Sequence, residues 1–306
     1  MNIITVIKKY LEYLKLKGFA QRSLSKYEWN LMTLATYCEK KEIKGIQDIS
    51  KDHLKGFRDH LYSYIGIKHA KPMSEWTINN ILHTLRKFFK YLEKNQILLI
   101  NPFEDFPEIK RPDRLPDNIP SEEEMMQILK SPDLSKPRGI RDRAIMEVLY
   151  STGIRRLECH NLTVFDVDLS QQILRVNQGK GKKDRLVPLG NKACEYLKVY
   201  LEKARPIWLP DADCKALFLS RKQLPLSGSS INDMLRKYGK VLKLKTPFTV
   251  HAFRKAAVTH MLKRGCHPSF LRKILGHSTN NVLRNYIKLT ITDVKDMHDK
   301  KHPRRR

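Results

Sequence analysis

Six side chains in the second half of this chain carry the groups needed to work on a phosphodiester. They are Arg155 in Thr152-Gly153-Ile154-Arg155, Lys180 in Gly179-Lys180-Gly181-Lys182-Lys183-Asp184-Arg185, His251 and Arg254 in His251-Ala252-Phe253-Arg254, His277 in Leu275-Gly276-His277-Ser278, and Tyr286, nine residues further on. A phosphodiester resists attack because its anionic oxygens repel nucleophiles, and the pentavalent transition state carries more charge still. Fixed cations aimed at those oxygens offset this. Arginine suits the task, since its planar fork holds two oxygens at once and stays charged at any working pH. His251 and Arg254, three apart, fall on one helix face a turn apart, so a single phosphate can meet both. A tyrosine with its ordinary pKa of about 10 is protonated near neutrality; a cationic pocket lowers that value, and a neutral histidine can take the proton.

In order and interval these residues resemble the tyrosine recombinase (phage integrase) family, and within it the bacterial Xer-type recombinases. The resemblance runs from about residue 121 to 290, and more loosely over the first 108 residues. It implies a site-specific recombinase that cuts and rejoins duplex DNA through a 3′-phosphotyrosine intermediate, for dimer resolution or for integration and excision of a mobile element. By that resemblance Arg155 and Arg254 hold the scissile phosphate, Tyr286 attacks phosphorus, and His251 assists proton transfer. His277 hydrogen-bonds the phosphate, and Lys180 protonates the leaving 5′-oxygen; Lys182 and Lys183 rank below it because only Lys180 sits in a Gly-Lys-Gly setting. Glu158, three residues after Arg155, matches a family carboxylate that orients the site, with an ordinary helix-surface ion pair as the alternative. Arg156 doubles the arginine and leaves open which of the two faces the phosphate; the family register favours Arg155.

Because the bond energy stays in the protein–DNA link, the resemblance implies no ATP, metal or other cofactor. The chain also has no Gly-x-x-x-x-Gly-Lys-Ser/Thr phosphate loop. The partners implied are double-stranded DNA and a homo-tetramer, or a hetero-tetramer with a related recombinase, on two DNA sites. Two other functions are weighed against this one. A type IB topoisomerase or telomere resolvase shares the tyrosine and the cations, and a catalytically inactive DNA-binding accessory protein would share only the charge.

That charge is large. The chain of 306 residues carries 59 Lys and Arg against 32 Asp and Glu, a formal +27, which points to a polyanionic partner. Residues 109–306 hold 41 of the basic and 20 of the acidic side chains, and residues 251–306 hold 14 basic and 3 acidic, so charge and motif coincide. Phosphate backbone fits this excess, because Lys and Arg contacts release condensed counterions. An anionic membrane is the competing polyanion, but there is no run of about 18 apolar residues and no leader pattern. Five widely spaced cysteines without a Cys-x-x-Cys pair fit a reducing compartment, so the expectation is cytoplasmic, with no membrane partner. Cys159, near Arg155, reads as a small packing side chain rather than a nucleophile.

The elements that must position these groups form a mainly α fold with a small antiparallel β-sheet. Apolar residues three and four apart predict four helices before residue 100: Ile4, Ile7, Leu11 and Leu14; Tyr27, Leu31 and Leu34; Leu54, Phe57 and Leu61; and Ile78, Ile81, Leu82, Leu85, Phe88, Phe89 and Leu92. This is a helical-bundle N-terminal core-binding domain, residues 1–106. A Pro-rich linker, 107–120, follows, with the periodic pattern already lost from Asn101. Ser121 and Glu124 have capping-box spacing and open an α+β catalytic domain, 121–306. Within it, a helix is expected over Arg143–Tyr150 and another near Arg155. Strands are expected at Ile173–Val176 and Leu186–Leu189 with Lys180 at their turn. Helices are then expected at Asn191–Leu201, Ser230–Leu242, His251–Lys263 and Ser269–Leu275, and after Thr292. The basic tail reads as disordered from its charge, and by resemblance as a contact to a neighbouring protomer.

Overall fold

Asn2 opens the first helix: its Oδ1 accepts from the N–H groups of Ile4 and Thr5, satisfying donors that a helix start leaves open. The computed structural model describes residues 1–64, 72–107, 119–177, 184–210, 213–244 and 247–276. The chain divides into two compact units, Met1–Pro112 and Asp113–Arg306. The architecture is mainly helical with one small antiparallel sheet, as the sequence pattern predicts.

The first unit's described α-helices are α1 (Ile3–Leu16), α2 (Gln21–Lys40), α3 (Lys51–Ser63) and α4 (Glu75–Lys94). The α4 stripe is buried throughout, from Ile78 to Leu92, and Ser74 caps that helix by accepting from Thr77 N–H at 3.2 Å. In α1 the buried face differs from the expected one: Ile3, Val6, Ile7, Tyr10 and Leu14 point inward, whereas Ile4 is 43% exposed. Tyr10 decides this. Its ring lies 5.2 Å from Phe88 and 4.9 Å from Tyr91, and so large an aromatic area outweighs one isoleucine. Phe103 and Phe106, in the stretch that lacks a periodic pattern, also belong to this core. Phe103 stacks on Phe89 at 5.9 Å, and Arg86 donates to the Phe106 carbonyl at 2.9 Å. The Pro-rich residues 108–118 lie outside the described residues.

The second unit begins with the predicted capping box, in which Ser121 Oγ accepts from Glu124 N–H and Glu124 Oε2 from Ser121 N–H; α5 (Glu122–Lys130) follows. α6 (Pro137–Thr152) starts well before the expected Arg143, and nearly all of it is buried. Its charges are paired inside: Asp142 accepts from Arg141 and from the Tyr238 hydroxyl, and Arg143 joins Glu147 and the Leu129 carbonyl. A helix covered on most sides has no apolar stripe to read, and its buried ion pairs look like solvent-facing residues in the sequence. After α7 (Arg156–His160) comes a sheet of order β1-β2-β3, with β1 (Val167–Asp168), β2 (Ile173–Val176) and β3 (Arg185–Pro188) antiparallel. Two residues are too few to show alternation, which is why β1 was not anticipated.

α8 (Asn191–Val199) runs on through a wider π-helical turn, Tyr200–Ala204, where the buried Tyr200 hydroxyl donates to the Leu217 carbonyl and accepts from Leu219 N–H. α9 (Gly228–Val241), α10 (Val250–Lys263) and α11 (Pro268–Leu275) complete the described part. The β2–β3 connection, 178–183, and all residues after 276 lie outside it. Among the described residues no helix is long and apolar enough to cross a membrane.

Candidate active site

The site is built where α6 stops. Gly153 closes that helix in the left-handed conformation (φ +59), which an L side chain adopts only at a cost, and a Cβ there would stand 3.2 Å from Leu275 Cδ2. The turn buries Ile154 and leaves Arg155 as the extended N-cap of α7. Glu158, one turn on, accepts from the Arg155 backbone N–H and guanidinium, both at 2.7 Å.

Glu158 is no surface ion pair. It is 7% exposed, and a second arginine reaches it from β3: Arg185 Nη1 and Nη2 donate to its two oxygens at 3.0 and 2.8 Å. Burial opposes ionisation of this carboxyl, but the hydrogen bonds from Arg185 and Arg155 outweigh it and hold its pKa at about 2. Arg185 Nε also donates to the Ile274 carbonyl at 2.7 Å, near the end of α11.

α10 brings the second pair of groups. Thr249 caps it by accepting from Ala252 N–H at 3.2 Å, and Val250 N–H donates to Asn232 Oδ1 of α9 at 3.0 Å, which fixes the first turn and hence His251. Arg254, 7% exposed, donates to the Gly153 and Leu275 carbonyls, so it fastens the α6–α7 turn and the end of α11 to α10. Partial withdrawal from water, followed by the charges of Lys255 and Arg254, pushes the His251 pKa below its ordinary value and favours neutral imidazole at pH 7.

Arg155, Arg156, His251 and Arg254 line one cleft of about 270 Å³ with Asn232 and Thr249, and among the described residues no carboxylate lines it. Such a lining suits a tetrahedral oxyanion: two or three fixed guanidinium forks around one ring nitrogen able to accept a proton. Arg155 and Arg156 both line it. Arg155 is the one held by Glu158, whereas the stem of Arg156 runs beside α9, 3.1 Å from where a Gly228 Cβ would stand. Cys159 is buried and its thiol is pushed up to about 12 by loss of water, consistent with packing and not with nucleophilic chemistry.

Four of the seven residues singled out from the sequence, Arg155, Glu158, His251 and Arg254, thus converge from two helix starts. Lys180, His277 and Tyr286 lie outside the described residues. Arg185 was missed as a member of the site, although the sequence holds a signal for it. In a strand, residues two apart share a face, and Val187 is a core residue, so alternation puts Arg185 on the inner side.

Comparison with known proteins gives a consistent picture. Residues 120–292 match the phage integrase family and residues 7–96 match the phage integrase N-terminal SAM-like domain. The sequence is similar to tyrosine recombinase XerC 2 of Ralstonia nicotianae, 32% identical over 296 residues that cover 97% of this chain and 85% of that protein. It is similar to tyrosine recombinase XerD of Staphylococcus epidermidis, 30% identical over 301 residues, 98% of this chain and 99% of that one. Its fold is similar to that of the Tn1549 transposon integrase solved in complex with transposon right end DNA, with a TM-score of 0.71, 19% identity and coverage of 98% and 99% of the two chains.

Proposed function

Since this chain belongs to the phage integrase family and is a site-specific tyrosine recombinase of the Xer-like kind, an enzyme of DNA strand exchange, we propose the following division of labour among its residues. Arg155 and Arg254 bind the non-bridging oxygens of the scissile phosphate in duplex DNA. Tyr286 Oη attacks phosphorus and gives up its proton to neutral His251. The bond from phosphorus to the 5′-oxygen breaks, a 3′-phosphotyrosine link forms, and Lys180 supplies the proton that the leaving 5′-oxygen takes. His277 donates a hydrogen bond to the phosphate, and Glu158 orients Arg155. Rejoining is the same sequence in reverse with a new 5′-hydroxyl.

The observation that supports this reading best is the cleft itself, where Arg155, His251 and Arg254 come together with no carboxylate among the described lining residues. A cationic cleft of this kind accepts a phosphodiester and repels neither its charge nor that of its transition state. The excess of Lys and Arg in residues 109–306 supports a duplex as the substrate. In this reading residues 1–106 form the core-binding domain, 107–120 the linker and 121–306 the catalytic domain. Four protomers, of this chain alone or with a related recombinase, act on two sites in the cytoplasm. The relatives favour neither a type IB topoisomerase nor an inactive accessory protein.

The test uses a duplex selected from a random-sequence library by the wild-type protein. One labelled copy and a second copy carried on a supercoiled plasmid are incubated with the chain, and exchange of strands between them is expected. Relaxation of supercoils without exchange would return the topoisomerase reading, and binding without cleavage the accessory one. Lys180→Ala should slow cleavage of the normal substrate and be rescued by a 5′-thio leaving group, which needs little protonation; absence of rescue removes the proton-donor role.

A further inference from the structure

We propose that Arg185 is a positioning residue for strand cleavage: it holds Arg155 in place through their shared Glu158 carboxylate, and it locks the end of α11 against β3. The proposal rests on the reading of Arg155 as a phosphate-binding group.

Glu158 Oε1 is bonded by Arg155 Nη1 at 2.7 Å and by Arg185 Nη1 at 3.0 Å, so one oxygen is the hinge between the two guanidiniums. Oε2 is bonded by the Arg155 backbone N–H at 2.7 Å and by Arg185 Nη2 at 2.8 Å. Both oxygens of the carboxylate therefore serve both arginines. Arg155 lines the cleft; Arg185 is not among the residues that line it and has a side chain only 10% exposed. Its place is behind the first arginine, not beside the substrate.

The third anchor of Arg185 is the Ile274 carbonyl, and Gly276, the C-cap of α11, lies directly against the Arg185 side chain. Gly276 ends α11 in the left-handed conformation (φ +62), and a Cβ there would approach Arg185 Cδ at 3.1 Å. One guanidinium side chain thus joins the starts of β3 and α7 to the end of α11. In the sequence, β3 follows the segment that holds Lys180, and Gly276 precedes His277. Arg254 makes a parallel join, from α10 to the Gly153 and Leu275 carbonyls. Among the described residues, the charged groups facing Glu158 are Arg155, at the start of its own helix, and Arg185, from β3; α11 approaches with a main-chain carbonyl and α9 with Gly228, which lies against Arg156.

Among the described residues, removing Arg185 leaves the buried carboxylate with Arg155 as its remaining charged partner. Two effects follow. Arg155 is drawn to that carboxylate alone, which shifts a group that must be placed within a fraction of an ångström, a displacement that typically costs about 10²-fold in rate. The Glu158 pKa rises out of the strongly acidic range, because the two hydrogen bonds from Arg185 that favour its ionised form are gone while its burial remains.

The experiment measures single-turnover adduct formation on the selected duplex, carrying a nick that traps the covalent product, between pH 5 and 8. The proteins are wild type, Arg185→Gln, Arg185→Lys, Glu158→Gln and the double variant Arg185→Gln with Glu158→Gln. Arg185→Gln is expected to cleave about 10²-fold more slowly with unchanged duplex binding, and, beyond the acid limb that protonation of His251 gives wild type and variants alike, to show a further loss at low pH that the double variant lacks. The double variant should be about as slow as either single one, because both changes break one device. Arg185→Lys keeps the charge without the fork and should fall between; if Arg185→Gln does not fold, it carries the same pH comparison. Wild-type rates in either Arg185 variant, or losses that multiply in the double variant and are equal at every pH, would overturn the proposal. Failure of the underlying reading looks different: wild type then gives no adduct, or Arg155→Gln forms it as fast as wild type does.

Discussion

Replacing Glu158 by Gln tests the electrostatic centre of the second unit, and the structure sets the size of the effect. The carboxyl is 7% exposed and its pKa falls from 4.5 to about 2. At about 1.4 kcal/mol for each tenfold change this is roughly 3 kcal/mol contributed by the ionised group at neutral pH. Independently, removing one partner of a buried ion pair costs about 3–5 kcal/mol. Glutamine keeps one acceptor oxygen, so the lower figure applies. The folded-state pKa lies below the unfolded one, so the contribution is complete above about pH 4.5 and is lost as the pH falls towards about 2; at pH 3.5 about 1.4 kcal/mol of it has gone. The gap between wild type and Glu158→Gln should therefore narrow from about 3 to about 1.6 kcal/mol between pH 7 and pH 3.5. Urea unfolding followed by tryptophan fluorescence reads this. The chain has three tryptophans, and Trp29 and Trp76 are 51% and 61% exposed, so both can be replaced by Phe to leave the buried Trp208 as reporter of the second unit. A gap under about 1 kcal/mol at pH 7, or one independent of pH, would refute the assignment of Glu158 as a buried ionised link.

Gly153→Ala should destabilise the same unit by about 1–2 kcal/mol, since φ is +59 and the new Cβ meets Leu275; the Trp208 urea curve measures it, and an unchanged midpoint contradicts it. The depressed pKa of His251 predicts a cleavage rate that falls only below its ordinary value of about 6.5. That acid limb should vanish in His251→Gln, and its persistence there would assign the titration to another group. Cys159, with its thiol pushed to about 12 and no exposure to water, should stay unalkylated by iodoacetamide in the native protein and react after unfolding; peptide mapping decides.

Much of the fold was legible because most of its helices are amphipathic and capped. The α4 stripe and the Ser121–Glu124 capping box hold residue for residue. α6 was only half legible, since Arg141, Asp142, Arg143 and Glu147 satisfy one another inside the core and mimic a polar face. Phe103 and Phe106 were invisible to periodicity because two aromatic anchors on a turn repeat nothing. In the site, side-chain type was the guide: Arg155, His251 and Arg254 carry chemistry that few positions need, and they meet in one cleft. Arg185 was harder to see. Its partners, Glu158 and the Ile274 carbonyl, are distant in sequence, and no local spacing announces a contact across three elements.

Strand cleavage by this chain stands or falls with the identity of the nucleophile. The covalent adduct formed with the selected, nicked duplex should be digested with protease and nuclease and the nucleotide-bearing peptide sequenced by mass spectrometry. The account predicts a phosphodiester on Tyr286 Oη joined to a 3′-end. A nucleotide on any other side chain, or a link to a 5′-end, would contradict it.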